Sequence, residues 1–188
     1  MFARTERLLL RPGWAQDAPA LFDAIGDEAV VRNLASAPWP YTLADAHAFL
    51  ATERDAGAPS AMIFLRTSGA PQLVGTIGIG RRPDGEKELG YFIGRRFWGQ
   101  GYATEAGRAV LAFARDSLRL RKLSAGYFLD NPASGRVLEK LGFRPTGAIG
   151  QRYSAGRREV ASSRLLELEF GEPEGRVAAR DCLEMMAA

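Results

Sequence analysis

Cysteine is almost missing from this chain: Cys182 is the only one in 188 residues. A single thiol excludes an internal disulfide and any multi-cysteine metal site. Its place near the C-terminus, in what reads as a tail, makes it incidental to the rest. Histidine is equally scarce. His47 stands alone in an alanine-rich stretch and reads as a surface residue, so no metal centre is expected. No apolar run approaches the roughly 20 residues needed to cross a membrane. Met1-Phe-Ala-Arg-Thr-Glu-Arg7 carries charge with no apolar signal core behind it, so a cytoplasmic location is expected, away from any membrane. Charge of one sign is also in short supply. Lysine and arginine number 25 against 22 aspartates and glutamates, and a net +3 suits an anionic cofactor but is too small to argue for nucleic acid.

What is present is ordinary for a globular protein: 46% hydrophobic and 25% charged residues. The length fits one domain, 1–170, followed by a tail, 171–188, in which Arg176 to Met186 reads either as a short helix or as loose chain. Thr5 to Arg11 reads as a strand, with Leu8 and Leu10 on one side. Asp17 is placed to cap a helix from Ala18 to Ile25, with Pro19 in its first turn and Gly26 at its exit. A short helix over about Glu28 to Leu34 follows. Thr42 with Asp45 three residues on is a variant capping box for a helix to about Arg54. Pro38-Trp39-Pro40-Tyr41 between them either walls an acceptor pocket or packs on its own domain.

From Ser60 the apolar period changes to two. Ala61 to Thr67, Gln72 to Arg81 and a run from Glu86 read as three antiparallel strands. The third leads into Glu88-Leu-Gly-Tyr-Phe-Ile-Gly-Arg-Arg-Phe-Trp-Gly-Gln-Gly-Tyr-Ala-Thr-Glu105. Leu89, Tyr91 and Ile93 alternate as in a strand, and from Tyr102 the apolar spacing is helical through Ala103, Ala106, Val110 and Phe113 to Ser117. The loop between holds Arg95, Arg96, Gly99 and Gly101. Strand, glycine loop and helix start together either form a tight turn or an anion site for a pyrophosphate. A strand over Lys122 to Leu129 follows, and a strand–helix–strand crossover places it parallel to and beside the Glu86–Ile93 strand.

Asp130 to Phe143 is a well-punctuated helix: Asn131 as N-cap, Pro132 at the first position, Val137, Leu138 and Leu141 as the buried stripe, and Gly142 at the exit. Phe143 to Tyr153 and Arg157 to Phe170 read as a closing hairpin, weakened locally by Ala161-Ser162-Ser163. Arg81, Arg82, Arg157 and Arg158 read as solvated turn charges.

Arg96-x-x-Gly99-x-Gly101 followed by Tyr-Ala-Thr-Glu-Ala resembles the acetyl-CoA-binding segment of the GNAT N-acetyltransferase superfamily. Asn131-x-x-Ser134 with Val-Leu-Glu-Lys-Leu-Gly-Phe143 resembles that family's segment beside the pantetheine and thiol. The fuller wording is most similar to the branch containing the ribosomal-protein N-terminal alanine acetyltransferases, and the resemblance covers about Thr5 to Phe170. It implies a GNAT-like α/β (α+β) mixed sheet of about seven strands. That sheet is mostly antiparallel, with one central parallel pair splayed to hold CoA and helices on both faces. It implies acetyl-CoA as co-substrate, bound by Phe92, Ile93, Arg95, Arg96, Phe97, Trp98, Gly99, Gln100, Gly101, Tyr102, Ala103, Thr104, Asn131 and Ser134. A β-bulge near Phe92 or Ile93 would free an N–H for the oxyanion, and Ser134 would return a proton to the thiolate.

Glu88 matches a carboxylate position common in that branch, and burial beside an apolar cleft would strengthen it as general base; a solvated strand-end glutamate is the alternative, and Tyr127 is another polar candidate. The chain departs from the branch at Arg144-Pro-Thr-Gly147, where relatives often carry a glutamate before the glycine. That weakens transfer of a ribosomal-protein substrate to this chain. The function implied is acetyl transfer to a primary amine, of a protein N-terminus or a small molecule, in a ternary complex. A non-catalytic acetyl-CoA sensor is the alternative. A nucleic-acid module using Arg81, Arg82, Arg95 and Arg96 lacks the aromatic interleaving of a known motif. A homodimer is left open.

Overall fold

A computed structural model describes residues 1–53, 57–82 and 84–171. Eight strands form one sheet in the order β1-β2-β3-β4-β5-β6-β8-β7. They are β1 (Ala3–Arg4), β2 (Leu8–Arg11), β3 (Ser60–Leu65), β4 (Gln72–Arg81), β5 (Lys87–Ile93), β6 (Lys122–Phe128), β7 (Arg144–Ser154) and β8 (Glu159–Glu169). The strand beyond the expected seven is the two-residue β1, which pairs with Leu9 and Leu10. Every pairing is antiparallel except β5 with β6.

Helices cover both faces. On one lie α1 (Ala18–Ile25), α2 (Glu28–Val31) and α3 (Leu43–Ala51); on the other lie α4 (Tyr102–Asp116) and α5 (Pro132–Lys140). Two clusters of buried side chains follow from this. The larger joins Leu8, Leu10, Leu89, Ile93, Ala106, Val110, Leu123 and Leu138 under α4 and α5. The second joins Leu21, Ile25, Val31, Met62, Phe64 and Phe92 under α1 to α3. Val110 and Leu111 of α4 are each stabilised by burial to the extent of about 1.5–3 kcal/mol. Alternation carries the rest: Leu89, Tyr91 and Ile93 point to the α4 face, and Glu88, Gly90 and Phe92 to the α1 face.

The capping expectations divide. Thr42 and Asp45 make a reciprocal box, Asp45 N–H donating to Thr42 Oγ1 at 3.2 Å and Thr42 N–H to Asp45 Oδ2 at 2.8 Å. Asp17 precedes α1 but does not cap it with its side chain. Its carboxylate instead accepts two 2.7 Å hydrogen bonds from Arg11 and one of 2.8 Å from Trp14 N–H. Burial works to raise its pKa, but those bonds outweigh it and hold the group below its ordinary value. The helix expected over Glu28 to Leu34 ends at Val31, and α3 ends at Ala51; Arg54, Cys182 and Arg176 to Met186 lie outside the described residues. No helix among the described residues is long and apolar enough to cross a membrane.

Candidate active site

The site forms where β5 and β6 part. Their parallel register holds at Glu88↔Ser124 and Leu89↔Ala125, and stops there although both strands run on. Arg82 N–H donates to Glu86 O and Gly94 N–H to Val74 O, both at 2.8 Å. By antiparallel alternation the even-numbered residues of β5 therefore bond to β4, and Tyr91 and Ile93 turn their backbone groups toward β6. On β6, Leu129 N–H donates to Ser162 O and Phe170 N–H to Arg121 O, which leaves Gly126 and Phe128 facing β5. A wedge lined by main-chain N–H and C=O groups opens between them.

The expected bulge near Phe92 is not there. The β4–β5 ladder runs in unbroken register from Arg81↔Lys87 to Gly75↔Ile93, and the irregularity falls on the other edge of β4, opposite Ile63 and Phe64. Parting of the parallel pair, not a bulge, is what leaves the Ile93 N–H without a strand partner.

At the wide end of the wedge stands the glycine loop. Gly94 leads into a single 3-10 turn, Arg95–Phe97, and Gly101 is the N-cap of α4. Gly99 and Gly101 have φ of 76° and 81°, a conformation other residues adopt only with strain. Nothing lies within 4 Å of a Cβ built at Gly99, so the surface over the loop is open. Among the described residues the N–H groups of Gly99, Gln100 and Gly101 donate to no carbonyl. Those of Tyr102, Ala103 and Thr104 open the helix, where intrahelical acceptors are lacking. The loop's own framework is tight. Arg7 donates to Gln100 O at 3.0 Å and pairs with Glu105 at 2.7 Å, while Trp98 Nε1 donates to Ile93 O at 2.6 Å. Glu105 is held below its ordinary pKa because hydrogen bonds from Thr5 and Arg7 outweigh the opposing effect of burial.

The residues expected to bind cofactor separate by place. Phe97, Tyr102, Ala103 and Thr104 are buried, with the Phe97 and Tyr102 rings edge to face at 6.4 Å, so they offer a ligand only backbone. Arg95, Arg96, Trp98 and Gln100 are exposed around the loop, with Arg95 paired to Asp27 at 3.3 Å. Phe92 packs under α1 to α3 on the face opposite α4. Asn131 caps α5 with its side-chain oxygen, accepting from Ser134 N–H at 3.3 Å, and among the described residues its amide hydrogens have no acceptor.

Two polar pairs flank the wedge, one on each face of the sheet. On the α5 face, Ser134 Oγ lies 2.8 Å from the hydroxyl of Tyr91. Burial pushes the Tyr91 phenol up to about 12, against a smaller opposing effect of the Ser134 hydrogen bond, so it keeps its proton at any physiological pH. In the sequence it shows only as a tyrosine among aliphatic residues on an inward strand face, which is the signature of plain core. On the α1 face, Glu88 Oε1 meets Arg152 Nη2 at 2.5 Å. Glu88 therefore faces a guanidinium carried by the closing hairpin and not an apolar wall. Tyr127 is not on Glu88's face: its ring packs against Gly135 of α5, where a Cβ would come within 2.7 Å.

Residues 7–144 match the acetyltransferase (GNAT) domain family. The chain belongs to the GNAT acetyltransferase family. Among its relatives, the N-acetyltransferase YoaA of Bacillus subtilis, itself uncharacterized, is 30% identical over 154 residues, which cover 78% of this chain and 85% of YoaA. A GNAT acetyltransferase structure from Bacillus anthracis superposes with a TM-score of 0.75 at 25% identity, covering 90% of this chain and 98% of that one. The microcin C7 self-immunity acetyltransferase MccE, solved with acetyl-CoA and AMP, shares the fold at a TM-score of 0.72 and 16% identity, covering 88% and 94%. This GNAT chain is thus an acetyltransferase.

One further correction concerns the closing hairpin. Arg157 is not a solvated turn charge: its side chain is 8% exposed and pairs with Asp130 at 2.7 Å. It also donates to Arg32 O at 2.6 Å and lies 4.7 Å over the Phe128 ring. Hydrogen bonding by Arg157 holds the Asp130 carboxyl below its ordinary pKa. Arg158 donates to Trp39 O at 2.9 Å, so the Pro38–Tyr41 stretch anchors the hairpin while Tyr41 is buried in the second core cluster.

Proposed function

We propose that this acetyltransferase moves acetyl from acetyl-CoA to a primary amine in a ternary complex. The observation that carries the reading is the parting of β5 and β6 directly after Leu89↔Ala125, with a carboxylate at the last paired position on one face and a Ser134–Tyr91 hydroxyl pair on the other. MccE, with its bound acetyl-CoA, supports the choice of cofactor. The pyrophosphate sits on the N–H groups of Gly99 to Gly101 and the start of α4, whose dipole favours an anion. Pantetheine threads the wedge, where Asn131 donates to one of its amides and the Ile93 N–H to another.

Chemistry then runs across the sheet. Gly90 lies between Glu88 and Phe92 on the α1 face, and nothing stands within 4 Å of a Cβ built there. The amine reaches the thioester over that open floor. Glu88 takes a proton from the incoming ammonium. Nitrogen attacks the carbonyl carbon, the C–N bond forms, and the carbonyl oxygen takes up the charge beside the Tyr91 N–H, the freed β5 donor nearer Glu88. As the C–S bond breaks, Ser134 Oγ gives its proton to sulfur, with the Tyr91 hydroxyl hydrogen-bonded behind it; the second proton that nitrogen sheds on becoming an amide passes to solvent, from which Ser134 is reprotonated. Base and acid on opposite faces let nucleophile and leaving group occupy opposite sides of one carbonyl.

Release of free thiol from acetyl-CoA, measured across a panel of amines, tests the reading. Glu88→Gln is expected to bind CoA as wild type does while turnover falls by roughly 10²–10⁴. The loss should shrink as pH rises and the amine arrives already deprotonated. Full neutral-pH activity in Glu88→Gln on a confirmed acceptor refutes the base assignment.

A further inference from the structure

The reading above leaves the acceptor open, and Arg152 narrows it. This side chain comes from β7, the sheet's outermost strand, and returns over β8 and β6 to reach Glu88 on β5. Small residues make the crossing possible. Gly126 lies under the pair, its missing Cβ 3.6 Å from Glu88 Oε1, and Ala161 and Ser163 occupy the same face of β8. The contact with Glu88 spends one N–H of the guanidinium. Among the described residues, Nε and Nη1 of Arg152 and Oε2 of Glu88 have no partner.

Charge decides what fits. An acceptor amine arrives as an ammonium beside Glu88, which already holds Arg152. A second cation there is repelled unless the acceptor also brings an anion. Further along the same face, Arg157 and Arg32 both pair with the single carboxylate of Asp130. From Gly126 toward the hairpin three arginines therefore stand against two carboxylates, while toward the other end of the same face Lys122 meets Glu86 and Glu167. The face is also short. Gly126, level with Glu88 and Arg152, and Phe128, under Arg157, are two residues apart, about 7 Å along a strand. Beyond Phe128 the hairpin tip closes on the segment after α2, with Ala155 N–H donating to Ala35 O at 2.9 Å and Ser154 Oγ to Leu34 O at 2.8 Å.

We propose that the acceptor is a small amine bearing its own carboxylate, an α- or β-amino acid, whose ammonium goes to Glu88 while its carboxylate takes the guanidinium fork that Glu88 leaves open, the second Nη2 hydrogen of Arg152 together with Nε or Nη1. A guanidinium edge binds a carboxylate with two parallel hydrogen bonds, which an ammonium or an amide cannot reproduce. Arg152 then sets specificity without touching the reacting atoms. The inference rests on the acetyl-transfer reading and on the placement of Glu88 in it.

The test compares matched acceptors: amino acids, their primary amides, the corresponding decarboxylated amines, and peptides beginning with the same residues. Each kcat/KM is corrected for the fraction of neutral amine. Wild type is expected to prefer the free amino acid by roughly 30-fold or more, the effect of truncating one partner of a buried charge pair. Arg152→Gln should collapse that ratio by raising KM for the acids, and Arg152→Lys should restore part of it. A wild-type ratio near one, or a preference for peptides or polyamines, overturns the proposal. So does an equal loss across all members of each set in Arg152→Gln, because that marks a residue that only holds the fold. Those outcomes leave acetyl transfer standing. Absence of transfer to every amine, with CoA still bound, refutes the acetyl-transfer reading as well.

Discussion

Gly99→Val separates the loop's structural work from its binding work. At φ 76° a valine is strained by roughly 1–2 kcal/mol. For a chain of this length that lowers Tm by roughly 2–8 °C, taking 2–4 °C per kcal/mol. The new Cβ itself meets no atom within 4 Å. The folded protein can hold the side chain, which then fills the space over the loop that the pyrophosphate would take. Wild type with CoA at 100-fold over its Kd gains about 2.7 kcal/mol, or roughly 5–11 °C. The assay is a thermal melt with and without CoA. Gly99→Val should melt a few degrees low, keep its far-ultraviolet circular dichroism, and gain nothing from CoA. A shift as large as that of wild type would show that the loop does not carry the pyrophosphate.

Three other outcomes follow from the same geometry. Ser134→Ala and Tyr91→Phe should each lower kcat with little change in CoA affinity, and the double variant should be no worse than Ser134→Ala, since Tyr91 acts through that hydroxyl; additive losses in single-turnover kinetics would separate the two. Arg157→Ala should cost up to roughly 1.5–3 kcal/mol, the range for hydrogen bonds to charged groups, lessened because Asp130 is half exposed. Wild type gains from the lowered Asp130 pKa above its ordinary 3.8 and loses that gain as pH falls through the lower folded value, so urea midpoints of the two proteins should converge in acid. Tyr91, raised from 10.0 to about 12, stabilises the fold fully below pH 10 and loses this as pH rises through 12. The loss is about 1.4 kcal/mol by pH 11, and Tyr91→Phe should show a smaller alkaline drop in its urea midpoint than wild type.

Most of the fold is local and was therefore readable. The Thr42–Asp45 box, the Gly99–Gly101 turn into α4 and the Asn131–Pro132 start of α5 each stabilise their own element, and each stands at the residue expected. Ala161-Ser162-Ser163 looked poor as a strand, but β8 is paired on both edges, and pairing outweighs propensity there. What did not show in the sequence are contacts between distant segments. Asp17 has the composition of a cap, yet Arg11 takes it. Arg152 and Glu88 are 64 residues apart, and only the sheet order brings them together. Tyr91 and Ser134 meet because β5 and α5 share a face across the wedge, which periodicity alone cannot supply. Arg157 reads as a turn charge in the sequence because its partners Asp130, Arg32 and Phe128 all lie in other segments.

The central claim is that CoA threads the wedge between β5 and β6, and a crystal structure of the protein with CoA tests it most directly. The account predicts pyrophosphate oxygens within hydrogen-bond distance of the Gly99 to Gly101 N–H groups, a pantetheine amide on Asn131, and sulfur deeper in the wedge, between Tyr91 and the facing backbone of β6, within reach of Ser134 Oγ. Density for CoA on the outer surface of α4 or α5, with the wedge empty and Ser134 Oγ far from sulfur, would contradict it.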